Sequence, residues 1–456
     1  MADFESLRKE NPEFLYESFS LTGKEGEITL GFRFSLGDTV FTPTTRIKTD
    51  NLNIINAFYS PAARRIAFCL GMVEAVSYWK AACPPTVRVL CGSLGGADVL
   101  WFKKLWLSGL GEFFYRNGIT TDMDSFVNIV CEGEALPGGG DFVSAGLNII
   151  PVGGGKDSAV TTELLSGFRN KNMFFTVNDQ PARTQCVLAA GYDESRIIKT
   201  YRTIDPNLLE LNRRGYLNGH TPFSAIVAFL SYYCAYLIGA ENIALSNESS
   251  ANEANIGGTG VNHQYSKSYE FEKDFRDFSD GYFGLPIRYF SLLRPFNEAQ
   301  IAKKFAACPQ YLKVFRSCNA GSKKNVWCCN CAKCLFVFIM LSPFVERGEL
   351  IEAFGCDMLD KADLLVDFEG LCGFSGVKPF ECVGTAREVC AMLELTLRRF
   401  GGGEKPYLLA EYEKRRTPVT SCELRALFGE YNEVNSVGSE FLPAVREMYK
   451  YVSAID

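Results

Sequence analysis

Residues 147–158 read LNIIPVGGGKDS, and this stretch decides the fold. The first six form a short apolar run of the kind a strand buried on both faces requires. Gly153, Gly154 and Gly155 follow, and Lys156, Asp157 and Ser158 open a pattern that predicts a helix over 156–168. Glycines let the backbone turn tightly and bring N–H groups close to an anion, while a helix start adds unsatisfied donors and positive partial charge. The mononucleotide P-loop needs glycine five positions before its Gly-Lys pair and Ser or Thr after the lysine. Ile150 and Asp157 stand there instead, so that motif is excluded. A purely structural strand-to-helix turn is the alternative to an anion site.

Downstream, short apolar runs at 173–177, 197–201 and 242–245 alternate with helical stretches. This rhythm predicts a parallel sheet with right-handed crossovers, whose ligands sit outside the carboxyl ends of the strands. Residues 225–240 (AIVAFLSYYCAYLIGA) are almost wholly apolar but carry Ser231, Tyr232 and Tyr233 at mid-length. They fall short of the ~20 residues of a membrane span. His220, Thr221 and Pro222 ahead of them read as a cap followed by proline in the first turn, so a buried helix is expected and no membrane partner. Upstream, 28–43 alternates around Gly37-Asp38 as a hairpin, helices are expected over 61–82 and 97–116 with a strand at 87–91, and ALPGGG at 135–140 breaks the pattern. Beyond a cysteine-dense stretch at 318–334 a helix starts near 336. The remainder reads as mainly helical, broken by Gly401, Gly402, Gly403 and Pro406. The predicted organisation is α/β: an α+β N-terminal domain (1–140), a parallel-sheet domain (141–310), a cysteine knuckle (311–345) and a helical C-terminal region (346–456).

Composition narrows the function. A chain of 456 residues, 47% of them hydrophobic, excludes disordered and fibrous classes. With 47 basic against 53 acidic residues, the net charge of -6 argues against a protein that coats nucleic acid. Seventeen cysteines behind a start (MADFESLRKENPEF) that is no secretory signal point to a thiol-rich cytoplasmic protein rather than a disulfide scaffold. No feature fixes an oligomeric state. Cys318, Cys328, Cys331 and Cys334 read C-x9-C-x2-C-x2-C, with Cys329 spare. Four thiolates at that spacing suit tetrahedral, structural zinc. A chance cluster or a redox pair is the alternative.

The glycine stretch resembles the Ser-Gly-Gly-x-Asp-Ser signature of the N-type ATP pyrophosphatases, the PP-loop proteins. That resemblance implies a PP-loop ATP pyrophosphatase-like core that cleaves ATP to AMP and pyrophosphate. In it Gly154, Gly155 and Ser158 would hold phosphate and Asp157 would face magnesium. Gly153 departs from the usual serine, and Lys156 is a candidate to make up the lost contact. A similar cysteine knuckle accompanies the loop in deazaguanine-forming pyrophosphatases.

Longer strings are more specific: SYWKA (77–81), GLGEFFYRN (109–117), LNGHTP (217–222), LSNESSANE (245–253), VNHQYSKS (261–268), YFSLLRP (289–295), FRSCN (315–319) and KPFECVG (378–384). Together they closely resemble the MurL family, ATP-dependent epimerases of UDP-N-acetylmuramoyl-L-alanyl-L-glutamate. The resemblance implies a peptidoglycan-precursor enzyme whose partner is the UDP-N-acetylmuramoyl dipeptide and whose cofactors are ATP, magnesium and structural zinc. It turns the terminal L-Glu into D-Glu. Adenylating the α-carboxylate would make its Cα acidic enough for a positioned base and acid to invert it.

The chain has two histidines, His220 and His263, and both fall within these strings. They are candidate proton carriers, against the commoner structural role. Glu381 and Cys382 are a second candidate acid/base pair, against a buried structural cysteine. Lys267 is a candidate phosphate contact. Asn247, Glu248 and Glu253 would orient the nucleotide or complete a magnesium shell, unless they merely cap the next helix. Arg202, Arg213 and Arg214 are candidate substrate clamps or plain surface charge. Two competing readings are a tRNA- or deazaguanine-modifying PP-loop enzyme and a non-catalytic zinc-knuckle module.

Overall fold

The computed structural model describes residues 4–252, 265–375, 378–379, 381, 383–400 and 403–455. Among them eleven strands join in one sheet. They are β1 (Glu13–Lys24), β2 (Glu27–Leu36), β3 (Thr39–Phe41), β4 (Thr44–Lys48), β5 (Thr86–Val89), β6 (Asn128–Cys131), β7 (Leu147–Pro151), β8 (Asn172–Val177), β9 (Ile197–Arg202), β10 (Ala240–Leu245) and β11 (Arg288–Ser291). The order across the sheet is β11-β10-β7-β8-β9-β4-β2-β1-β5-β6, with β3 hairpinned onto β2. Strands β7 to β11 pair with one another in parallel. β4 pairs antiparallel with β9 and so joins the β1–β4 meander to that parallel half, while β5 and β6 extend the far edge in parallel. The sheet therefore runs without a break past residue 140.

The parallel strands are apolar on both faces because both are covered. Ile149, Phe175, Ile198, Ile243 and Tyr289 enter one core, and their neighbours Ile150, Phe174, Ile197, Ala244 and Phe290 enter the other. The helices Pro61–Trp79 and Phe223–Ile238 fill the first core. Lys156–Leu164, Glu298–Ala306, Ala332–Leu341 and the C-terminal helices fill the second. Register among the parallel strands is pinned by buried amides: Asn242 Nδ2 donates to Asn148 Oδ1 at 2.9 Å, and Asn148 Nδ2 to Asn172 Oδ1 at 3.1 Å. A one-residue slip would strand these groups in the core.

Most expected elements form, with three local departures. The apolar stretch is a buried helix, but it starts at Phe223 after Pro222 and takes no side-chain cap from His220. Gly239, at φ +69°, ends it in the left-handed region that glycine favours. No helix among the described residues is long and apolar enough to cross a membrane. The helix expected over 97–116 is two, Gly96–Gly109 and Gly111–Arg116. The break lies where Gly109 meets Pro222 so closely that a Cβ would come within 2.7 Å of its ring. The helix after the glycine stretch stops at Leu164 and continues as a 3-10 turn, Ser166–Lys171.

The chain enters the parallel half at β7, places β8 and β9 on one side, then crosses back to place β10 and β11 on the other. The order reverses between β7 and β10. A crevice opens at such a reversal, outside the carboxyl ends of the two strands.

Candidate functional site

That crevice is a cavity of about 340 Å³. Val152, Gly153, Gly155, Asp157 and Ser158 wall it from the β7 side, and Ser246 and Asn247 from the β10 side. The first turn of the helix Phe223–Ile238 closes a third side through Phe223, Ser224 and Val227. The glycines have separate reasons. Gly154 lies at φ +82°, and a Cβ there would sit 3.2 Å from the Ala182–Arg183 backbone. At Gly155 a Cβ would press on Ser317 at 3.0 Å. Gly153 has open space around it, so the serine of the related signature would fit, and its absence removes a hydroxyl without steric cause.

Lys156 lies under the loop. Its buried ammonium pairs with Asp157 Oδ1 at 2.5 Å and with Glu298. Burial opposes its charge, but the two carboxylates outweigh that and hold its pKa above the ordinary lysine value. Burial raises the Glu298 carboxyl; Lys156 pulls it back, yet Asp157, Glu248 and Glu388 leave it at about 8. Glu388 in turn accepts the Glu298 and Thr385 backbone N–H groups at 2.7 and 2.6 Å. The loop is thereby tied to the helices Glu298–Ala306 and Ala386–Phe400.

The β10 side is held by an ion pair with no solvent contact. Arg294 and Glu272 are 3.0 Å apart, and both side chains are 0% exposed. The guanidinium also donates to the carbonyls of Glu248 and Lys267, each at 2.7 Å. One arginine therefore sets the backbone of two segments that carry Asn247, Glu248 and Lys267. Lys267 lines the cavity and Glu248 is buried behind it. Glu381 reaches the same wall through Asn319, whose Nδ2 donates to Glu381 Oε2 at 3.3 Å.

His220 belongs to a neighbouring cluster on the segment that leads into the cavity-lining helix. Its Nδ1 lies 3.6 Å from Glu112 Oε2. The Lys80 ammonium bonds the Gly219 carbonyl on one side of it and Thr221 Oγ1, at 2.9 Å, on the other. Burial lowers the Lys80 pKa, Arg202 adds to the fall, and Cys83 and Glu112 only partly offset it, leaving about 8. Arg202 spends its guanidinium on Glu74, with two bonds of 2.7 Å. Arg213 pairs with Glu210 at the surface, and Arg214 lies over the Tyr216 ring. Among the expected site residues, His263, Cys382 and Glu253 lie outside the described residues.

Sulfurs of Cys318, Cys328, Cys331 and Cys334 all lie within 4.8 Å of one another, a cluster that could hold a metal ion. Cys331 and Cys334 are 3.5 Å apart, Cys328 and Cys334 3.7 Å. A tetrahedral zinc with bonds of about 2.3 Å needs sulfurs about 3.8 Å apart. Hydrogen bonding with Cys334 pulls the Cys331 thiol down to about 5, against the effect of burial. Cys329 turns away toward the Phe354 carbonyl, 3.1 Å from it.

Glu112, Lys80, Arg294 and Glu298 were not singled out from sequence, although the first three lie inside the strings GLGEFFYRN, SYWKA and YFSLLRP. Their roles depend on partners far along the chain, which spacing does not reveal.

Fold and site together define a mixed α/β protein with a mostly parallel sheet, a glycine-rich loop at the reversal of strand order and a four-thiol cluster beside it. Family models for the MurL N-terminal domain and the MurL C-terminal domain match residues 5–292 and 314–420. The chain belongs to the MurL family. Three relatives carry the name UDP-N-acetyl-alpha-D-muramoyl-L-alanyl-L-glutamate epimerase. The one from Xanthomonas oryzae pv. oryzae is 33% identical over 82% of this chain and 83% of its own length. The Salinispora tropica protein is 33% identical over 86% and 83%, and the Micromonospora protein 35% over 73% and 74%.

Proposed function

We propose that this chain is an ATP-dependent epimerase that converts UDP-N-acetylmuramoyl-L-alanyl-L-glutamate to its D-glutamate form in the cytoplasm, during synthesis of peptidoglycan precursors. The observation that carries the reading is membership, over residues 5–292 and 314–420, of a family whose named relatives are such epimerases, in a chain with a glycine loop at the strand-order reversal. We assign nucleotide binding to 141–310 as a PP-loop core, metal binding to 311–345, and supporting roles to 1–140 and 346–456.

A proton α to a free carboxylate is hard to remove, because the carbanion would lie beside a full negative charge. ATP supplies an activated acyl group: the substrate carboxylate displaces pyrophosphate from the α-phosphorus, and later hydrolysis returns the carboxylate and releases AMP. The cavity suits a nucleotide's phosphates. Its volume is in the range of ligand sites, Gly153 leaves room against the loop, and the buried Ser246 Oγ has no hydrogen-bond partner among the described residues. The loop N–H groups of 153–155 and Ser158 would bind phosphate, with Lys156 holding the loop from below. Asn247 and Lys267 would orient the nucleotide from the opposite wall, with Glu248 behind them. Magnesium would be held by Asp157, the loop acid that lines the cavity, and would neutralise phosphate charge. Zinc in the four-thiol cluster would be structural, since all four positions are taken by protein.

His220, oriented by Glu112 at Nδ1, would take or return the Cα proton through its other nitrogen. His263, Cys382 and Glu381 are the candidates for the opposite face. The test is incubation with ATP, magnesium and the L-Glu dipeptide nucleotide. AMP, pyrophosphate and D-Glu are expected in equal amounts. Release of ADP and orthophosphate, or nucleotide consumption with the stereocentre unchanged, would refute the proposal.

A further inference from the structure

Lys333 stands between two of the clustered cysteines, Cys331 and Cys334, in the first turn of the helix Ala332–Leu341. It lines the same cavity as Gly153, Gly155, Asp157 and Ser158. Two cations beside the cavity are committed to protein groups. Lys156 is bound by Asp157 and Glu298, and Arg183 Nη1 by the Val177 and Asn178 carbonyls. The Lys333 ammonium has neither a carboxylate nor a carbonyl partner among the described residues. A cation left unpaired in the wall of a glycine-loop cavity is the arrangement an anionic ligand completes. The backbone agrees: Arg316 N donates to the Gly154 carbonyl at 2.7 Å, so the segment that carries the first cysteine is bonded to the loop itself.

We infer that Lys333 is a polyphosphate-binding residue of this site, supplied by the cysteine cluster that stands beside the glycine loop. The inference rests on the nucleotide reading above and adds to it a cation and a reason for the cluster's position. Cys331 and Cys334 flank Lys333 so closely that the cluster fixes where its backbone sits.

The test is equilibrium binding of ATP-magnesium and of pyrophosphate-magnesium to the full chain and to Lys333→Gln and Lys333→Arg, with metal content measured on each. A lost charge-assisted contact is expected to weaken both ligands about ten- to a hundredfold in Lys333→Gln. Lys333→Arg should recover most of it, with metal content equal in all three proteins and adenosine binding unaltered. Unchanged affinity in a metal-replete Lys333→Gln protein would overturn the inference while leaving the nucleotide reading intact. So would a loss that appears only together with loss of metal. If the parent chain bound neither ligand, the nucleotide reading itself would fall.

Discussion

Replacing Arg294 by Met removes the charge that satisfies three buried acceptors at once: the Glu272 carboxylate and the Glu248 and Lys267 carbonyls. Breaking a fully buried ion pair costs about 3–5 kcal/mol, because the remaining charge is left uncompensated. Each carbonyl that water does not reach adds about 1 kcal/mol or more. We expect a loss of about 5 kcal/mol at pH 8, a large share of the roughly 5–15 kcal/mol typical of a folded domain. The deficit depends on pH. Burial already raises the Glu272 carboxyl, with Arg294 opposing that rise. Without the arginine its folded pKa climbs further above the unfolded value. An acid with a raised folded pKa weakens the fold once ionised, so the deficit is full above the folded pKa and shrinks as pH falls toward the unfolded value near 4.5. Urea unfolding of the parent and of Arg294→Met, at pH 8 and pH 5.5, measures both effects. Adding Glu272→Gln to Arg294→Met should recover part of the loss at pH 8 and little at pH 5.5. A variant within 1 kcal/mol of the parent at pH 8, or a deficit independent of pH, would show that the pair does not hold the β10 wall as argued.

Four further outcomes can be measured. Glu112→Gln removes the carboxylate 3.6 Å from His220 Nδ1; solvent-deuterium incorporation at the substrate Cα should slow about tenfold or more. The same label measured in His220→Ala, His263→Ala and Cys382→Ala tests the acid/base set, which is wrong if all three exchange at the parent rate. Cys331→Ser should bring bound metal from one ion per chain to none and lower the melting temperature, as elemental analysis and calorimetry will report. Gly154→Ala forces a Cβ to φ +82° beside the Ala182–Arg183 backbone; a stability cost of about 1–2 kcal/mol and weaker ATP binding are expected, and tight ATP binding in this variant would contradict the loop's role.

The parallel half of the sheet was legible because its strands are continuous apolar runs punctuated by glycine and polar turns, so alternation with helices could be read directly. The buried helix after Pro222 was legible through its length, and the hairpin at Gly37-Asp38 through its turn residues. Other elements left weak signals. β1 breaks its own alternation at a register shift between Tyr16 and Ser18, and β11 is a four-residue strand inside a string valued for other reasons. In the site, the loop and the four cysteines were legible because their residues are close in sequence. Arg294 with Glu272, 22 positions apart, and Glu112 with His220, on distant segments, were not: no spacing rule links either pair, and only the fold brings them together. Lys333 was in plain view inside Cys-x2-Cys, where the cysteines drew the reading.

The ladder between β4 and β9, with Thr45 against Arg202 and Ile47 against Thr200, has a mechanical consequence. Two halves stitched through a shared strand pair cannot swing about a hinge without tearing main-chain bonds, so clamshell motion is denied to this enzyme. In the reaction proposed above, shielding the acyl-phosphate anhydride from solvent would then fall to the connections above the strand ends. Their local rearrangement, rather than the rotation of large bodies, would set the pace of opening and product escape.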